Sequence, residues 1–292
     1  MSQKTLKLVF FTTLALLAFA GNSVLCRLVL GQGLMDAAGF TSVRLIAGAL
    51  MLVLLMALSK SAQSVSKQVI TPRWQGIMGA VLLFIYAVCF SLAYLMLDTG
   101  SGALILFGVV QLTMLFSRLI GGYRAGCLEW LGVLLAFSGL SYLLWPALGT
   151  PSWTGFVLML FSGVAWGLYT LAGQGSAQPL TDTTRNFLWS VPLALPLLLW
   201  VPGFEHWSVD GVILAVFSGA LTSGLGYAIW YTVLPSLTAT SAGVLQLSVP
   251  VLAAGGGVVF AGESLSQRLV LSAAAVLGGI LLVMLTSQRQ QV

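Results

Sequence analysis

The sequence predicts an all-α integral membrane protein of ten transmembrane helices, arranged as two inverted five-helix repeats. Hydrophobic residues make up 59% of its 292 residues and charged residues only 7%, with a mean hydropathy of +1.02. Soluble domains contain about 25% charged residues, so a water-soluble fold is not expected. Apolar stretches of about 20 residues, the length that crosses a bilayer core, follow one another along the chain. The later stretches repeat the earlier ones.

Ten apolar stretches are separated by short polar connections. Their approximate bounds are 7–29, 38–58, 75–97, 101–120, 127–145, 153–173, 184–203, 210–233, 239–261 and 267–286. Pro192 and Pro196 in the seventh stretch and Pro250 in the ninth lack a backbone N–H. We expect these prolines to kink their helices.

A spacing of 140 residues, which separates Gly139 from Gly279, relates the two halves of the chain. At the same spacing, the small-residue turn at 101–103 corresponds to another at 241–243. Internal duplication in a membrane protein is typical of transporters built from two repeats. We therefore expect one five-helix repeat at 1–148 and a second at 149–292.

The corner between the last two stretches reads Gly262-Glu263-Ser264-Leu265-Ser266, and the final stretch contains glycines. This pattern resembles the EamA family of the drug/metabolite transporter superfamily. The first repeat departs from it, because Gly122-Tyr123-Arg124-Ala125 stands at its corner; Gly21-Asn22 and Trp166-Gly167 match the Trp-Gly segments of the family only in part. The resemblance covers nearly the whole chain. It implies a secondary carrier that exports small organic metabolites through a cavity formed by spans of both halves.

The basic residues predict the orientation. With the amino terminus in the cytoplasm, nine of the twelve basic residues lie at cytoplasmic ends: Lys4, Lys7, Lys60, Lys67, Arg73, Arg118, Arg124, Arg185 and Arg289. A bias of Lys and Arg toward the inner face sets the topology of membrane proteins. We expect a multi-pass protein of the cell membrane with both termini cytoplasmic.

Arg44 is the sharpest candidate for a functional residue, because it lies about seven residues into the second stretch. A cation there is costly unless it faces protein or water. Asn22 falls at a similar depth in the first stretch, which predicts a shared polar pocket. Two roles stay open for Arg44, a structural link between spans and a substrate-facing group that binds the carboxylate of an amino acid or other organic acid. Arg27, near the outer interface, is expected to snorkel.

Further polar and aromatic side chains lie inside the spans. Gln111 and Gln246 place amides in apolar helices, where they would bond between helices or contact a ligand. Four deep aromatic residues would line a cavity. The candidate substrate-binding residues are Asn22, Arg44, Tyr86, Gln111, Trp166, Tyr169, Tyr227 and Gln246.

All seven acidic residues fall in connections or at span ends, and the one histidine, His206, is in an outer loop. Because proton-coupled carriers commonly use intramembrane Asp, Glu or His, uniport, exchange or coupling through a less evident group is favoured over a proton-driven pump. We expect Glu263 to accept hydrogen bonds from exposed backbone donors at the start of the tenth span, a stabilising role.

The alternatives to a carrier are a polytopic intramembrane enzyme and a non-transporting membrane scaffold. Against the enzyme stand the lack of an HExxH sequence, of paired intramembrane aspartates and of a Ser/His pair at membrane depth. Cys26, Cys89 and Cys127 form no CxxC pattern, so neither a metal site nor a disulfide framework is predicted. We expect no catalytic residues and no cofactor. The expected partners are a small-molecule substrate and the lipid bilayer, without nucleic acid; a homodimer is left open.

Overall fold

The computed structural model describes residues 3–58, 73–144, 152–173, 176, 178–200, 206–237, 242 and 245–289, and this part of the chain is helical with no strand. Its helices are α1 (Gln3–Gly31), α2 (Ala37–Leu58), α3 (Arg73–Tyr94), α4 (Thr99–Ile120), α5 (Cys127–Leu144), α6 (Trp153–Gly173), α7 (Pro179–Ala194), α8 (Val209–Val233), α9 (Ser248–Ala261) and α10 (Gln267–Arg289). A 3₁₀ segment, Leu195–Trp200, extends α7, and a π-helical segment, Ser218–Leu225, forms the middle of α8.

Seven of these helices are long and apolar enough to cross a membrane: α1, α2, α3, α4, α6, α8 and α10. Helices α5 and α9 are apolar but shorter in the part of the chain described. The predicted all-helical membrane protein is therefore confirmed. The ninth stretch was predicted to span 239–261, and its residues 239–241 and 243–244 lie outside the described ranges.

The prolines affect the seventh and ninth stretches differently. Helix α7 begins at Pro179, earlier than predicted, and changes to a 3₁₀ helix after Ala194, between Pro192 and Pro196. The predicted disruption lies there, because each proline removes a backbone donor. The ninth stretch is also interrupted, three residues before Pro250. The chain turns at Leu247, and Pro250 lies in the first turn of α9, where a missing N–H costs little.

Helices of the two halves pack against each other throughout the bundle. Helix α1 packs on α8 and α9, while α3 and α4 pack on α6. Helix α2 contacts both α7 and α8, and α5 pairs with α10. The core therefore lies between the halves, where α1, α2, α3, α6 and α8 meet.

Close backbone contacts join α5 to α10. A Cβ atom added at Gly279 would collide with the carbonyl oxygen of Gly132, and one at Gly139 would lie 3.0 Å from that of Ser272. Gly132 of α5 contacts Gly279 of α10, whereas the later residue Gly139 contacts the earlier residue Ser272, so the two helices are antiparallel. Small residues allow this approach where lipid supplies no hydrophobic driving force.

Candidate substrate-binding site

A buried polar cluster surrounds Arg44 where α1, α2, α3 and α8 meet. Arg44 is the eighth residue of α2, roughly 10 Å from the start of that helix, and only 2% of it is exposed. Its Nε donates to Ser223 Oγ at 3.3 Å, and its Nη2 donates to the Tyr86 hydroxyl at 3.1 Å. Its guanidinium carbon lies 5.2 Å from the ring centroid of Tyr86 and 4.9 Å from that of Phe90. Its Nη1 is buried and has no hydrogen-bond partner in the described part of the chain.

Asn22 joins the same cluster from α1. Its Nδ2 donates to the Tyr86 hydroxyl at 3.1 Å, which therefore accepts bonds from both Asn22 and Arg44. Its Oδ1 accepts from Ser218 Oγ at 2.8 Å and lies 3.4 Å from the donor Thr222 Oγ1. The structure thus places Asn22 and Arg44 in one polar group, linked through Tyr86.

The π-helical segment of α8 supplies the hydroxyl groups of this cluster. Its backbone lies against α2, because a Cβ atom at Gly219 would collide with the carbonyl oxygen of Arg44 and one at Gly224 would lie 3.1 Å from that of Gly48. Single π-helical turns occur frequently at functional sites. The sequence reasoning missed Ser218, Thr222 and Ser223. The signal that would have found them is the run Ser-Gly-Ala-Leu-Thr-Ser-Gly inside an apolar stretch.

Aromatic rings continue the cluster away from Arg44. The ring centroid of Trp166 lies 4.9 Å from those of Tyr86 and Tyr227, and 5.3 Å from that of Tyr169, on which it stacks. Tyr86, Tyr169 and Tyr227 are buried, and Trp166 is partly exposed. The four aromatic residues singled out in the sequence therefore form one group that reaches Arg44 through Tyr86.

Gln111 and Gln246 form a separate contact. Gln111 Nε2 lies 3.5 Å from Gln246 Oε1, so the pair joins α4 to the residues that precede α9. This is the interhelical pairing that was one of the two predicted roles. Neither amide bonds to the cluster around Arg44 within the described residues.

A second charged cluster surrounds Arg27 near one end of the bundle. Its Nε donates to Glu263 Oε1 at 3.1 Å, its Nη2 to Asp98 Oδ1 at 3.3 Å, and its Nη1 to the carbonyl oxygen of Tyr94 at 3.0 Å. The side chain is 23% exposed. The snorkelling of Arg27 stays a prediction, and the structure adds that two carboxylates and a carbonyl bind its guanidinium within the protein.

Glu263 caps a different helix from the one predicted. Its two carboxylate oxygens accept from the backbone N–H of Thr99 at 3.0 and 2.9 Å, at the start of α4. Asp98, the N-cap residue of α4, makes no such bond with its side chain. The start of α10 is capped instead by Ser266, whose hydroxyl accepts from Leu269 N at 3.1 Å. The prediction of a cap at α10 by Glu263 is therefore wrong, although the carboxylate still caps a helix.

Comparisons with known proteins show which family this helical bundle is similar to. The model of the EamA-like transporter family matches residues 153–285. An uncharacterized protein of Pseudomonas aeruginosa is 49% identical over 273 residues, which are 94% of this chain and 93% of that protein. The threonine/homoserine exporter RhtA of Salmonella typhimurium is 28% identical over 172 residues, 56% of each chain. The chain belongs to the EamA family.

A solved crystal structure shares the fold of this EamA protein. The two align with a TM-score of 0.66 over 96% of this chain and 99% of the other, at 21% sequence identity. The family match lies in the second half of the chain, which contains the Gly-Glu corner and the π-helical segment of α8. The resemblance to EamA transporters of the drug/metabolite superfamily is confirmed, and the protein is a membrane transporter by family.

Proposed function

We propose that this EamA protein is a secondary transporter that exports small organic metabolites bearing a carboxylate across the cytoplasmic membrane, without changing them chemically. The unpartnered Nη1 of the buried Arg44 is the observation that carries this proposal. The printed name of the RhtA relative, a threonine/homoserine exporter, supports export and an amino-acid-like or other carboxylate substrate.

Two of the three guanidinium nitrogens of Arg44 make hydrogen bonds within the described residues, and the third does not. Nε and Nη2 bond to Ser223 and Tyr86, which fixes the plane of the group between α2, α3 and α8. Nη1 keeps two hydrogens without an acceptor among the described residues. A carboxylate forms short, charge-assisted bonds with such donors, and a low local dielectric strengthens them. The structural and substrate-binding roles of Arg44 are therefore compatible.

Internal symmetry supports the two inverted repeats. The 140-residue spacing carries Gly132 to Ser272 and Gly139 to Gly279, so the two close contacts between α5 and α10 are images of each other. The same spacing relates the two corner glycines with positive φ, Gly122 (92°) and Gly262 (65°). We propose ten transmembrane spans in two repeats of opposite orientation, with both termini cytoplasmic as the basic residues favour.

Alternating access follows from this arrangement. In the proposed orientation, Arg27, Glu263 and Thr99 join α1, α4 and the corner before α10 at the outer end of the bundle. The cluster around Arg44 lies deeper, between helices of both halves. Rocking of one repeat against the other would open that cluster to each side of the membrane in turn.

Two measurements test this function. Metabolites in the medium of cells with and without the protein are compared first, and we expect one or more carboxylates to be depleted when the protein is absent. Flux of those compounds is then measured with purified protein in proteoliposomes, where a carrier moves them unchanged and an enzyme converts them. Chemical conversion, or the absence of any flux, would contradict the proposal.

A further inference from the structure

The geometry points to a substrate of net charge −1: a carboxylate that carries no ammonium group, exported down the membrane potential. This inference rests on the proposed function and narrows the substrate class of the same site. Arg44 is the cation on which it depends.

The acidic residues lie away from Arg44, and most have other partners. Asp98 and Glu263 bond to Arg27, and Asp182 bonds to Arg185. Glu129 accepts from the Tyr123 hydroxyl and the backbone N–H of Gly126, and Asp36 from Trp207 Nε1 and the backbone N–H of Gly39. Asp210 is exposed in the first turn of α8. These six lie at helix ends or in connections, and the seventh, Glu205, is outside the described residues.

The immediate neighbours of Arg44 are therefore uncharged. Among the described residues they include the hydroxyls of Ser223 and Tyr86, the rings of Tyr86 and Phe90, and the nearby Tyr227 and Cys26. A buried cation without an anion is costly. A bound carboxylate that brings one negative charge and no positive charge removes that cost.

The polar oxygens of the cluster are neutral, and each already accepts at least one hydrogen bond. The Tyr86 hydroxyl already accepts from Asn22 and Arg44, and Asn22 Oδ1 already accepts from Ser218. Ser223 Oγ accepts from Arg44. None of these oxygens belongs to a carboxylate, so a zwitterion would place its ammonium near Arg44 with no anion among the described residues to balance either cation.

The membrane potential can drive the export of a net monoanion. Each transport cycle moves one negative charge, whether the loaded or the empty carrier bears it. An inside-negative potential of ordinary size favours outward accumulation of a monoanion by roughly fortyfold. Export of this substrate class therefore requires no coupling ion.

A matched pair of compounds tests both parts of the inference. The compounds 3-phenyllactate and phenylalanine differ only in a hydroxyl in place of the ammonium, and the ring of each suits the neighbouring aromatic residues. Uptake is measured in proteoliposomes in which a potassium gradient with valinomycin sets the potential. We expect a transport efficiency for phenyllactate at least tenfold above that for phenylalanine. Its flux should rise when the starting compartment is negative and fall when the potential is reversed.

Arg44→Gln should lower the transport efficiency for phenyllactate by roughly tenfold to hundredfold, and Arg118→Gln, at the end of α4, serves as the matched control. Equal or better transport of phenylalanine, or a phenyllactate flux that ignores the potential, overturns the inference while an Arg44-dependent carboxylate flux leaves the proposed function standing. If neither compound, nor any of a panel of monocarboxylates of increasing size, is transported or stabilises the purified protein against heat, both proposals fail.

Discussion

Two arginines inside the helical bundle differ in how their charge is balanced. Arg27 bonds to two carboxylates and a backbone carbonyl, although 23% of its side chain is exposed. Arg44 is 2% exposed, and its hydrogen bonds within the described residues go to two hydroxyls. From burial alone, Arg44 would be expected to pair with carboxylates rather than Arg27, because a more deeply buried charge has a greater need of an anion. Arg27 is therefore paired within the protein, and the difference is the reason why we propose that the anion of Arg44 comes from a bound substrate.

Removing the charge of Arg44 should give the largest effect on transport. Losing a charge-assisted hydrogen bond costs about 1.5–3 kcal/mol, so we expect Arg44→Ala to lower the transport efficiency for a carboxylate by roughly tenfold to hundredfold. Arg44→Lys keeps the charge without the planar donor fork, so it should retain weak transport. Initial rates in proteoliposomes, made with protein that is monodisperse in detergent, measure both effects.

Arg118→Ala is the control, since it removes an arginine that packs against Tyr123 outside the site. If well-folded Arg44→Ala carries a carboxylate with unchanged apparent affinity and rate, Arg44 is structural and the anionic substrate is excluded. If both Arg44 variants fail to fold, the purely structural role is favoured.

A carboxylate placed beside Arg44 should make it resemble Arg27. In Ser223→Asp the new side chain stands where Ser223 now bonds Arg44 Nε at 3.3 Å. We expect this internal anion to compete with substrate and to lower transport by about tenfold or more, while the added ion pair offsets the cost of packing a larger side chain. Ser223→Asn has the same size without the charge and is the matched control. Equal transport by the Asp and Asn variants would show that Arg44 does not need an external anion.

Depth along the helices made part of the site predictable. Asn22 and Arg44 were expected in one pocket because their positions put them at similar depth, and the structure joins them through Tyr86. The hydroxyls of Ser218 and Ser223 were missed, because hydropathy is insensitive to a π-helical turn. That turn changes which side chains share a face, and its backbone lies against α2.

The corner at Glu263 shows a second limit of sequence reasoning. The residue type and the expectation of helix capping were sound, but its partner is Thr99, 164 positions away. Local sequence points to the nearest helix start, which Ser266 already caps. Only the packing of the two halves decides which exposed N–H groups the carboxylate reaches.

Neutralising Glu263 should affect stability more than transport. Glu263→Gln removes the charge that faces both Arg27 and the Thr99 backbone N–H, and its side chain is only 13% exposed. Hydrogen bonds to charged groups contribute about 1.5–3 kcal/mol, so we expect a loss near 2 kcal/mol. It would appear as a lower melting temperature and a lower folded yield, with transport per folded molecule close to that of the unchanged protein. Normal folded yield with abolished transport would instead make Glu263 part of the transport mechanism.

Asp98 should give the smallest effect, although it bonds to the same arginine. Its side chain is 65% exposed and lies 3.3 Å from Arg27 Nη2, so water and salt screen the pair. Exposed ion pairs contribute about 0–1 kcal/mol, and Arg27 keeps Glu263 and the Tyr94 carbonyl when Asp98 is changed. We therefore expect Asp98→Asn to lower the melting temperature less than Glu263→Gln does, by an amount that shrinks as salt is added, and to leave transport unchanged. A loss equal to that of Glu263→Gln would mean that the two carboxylates act as one unit. Arg27 would then need both acids, which would widen its contrast with Arg44.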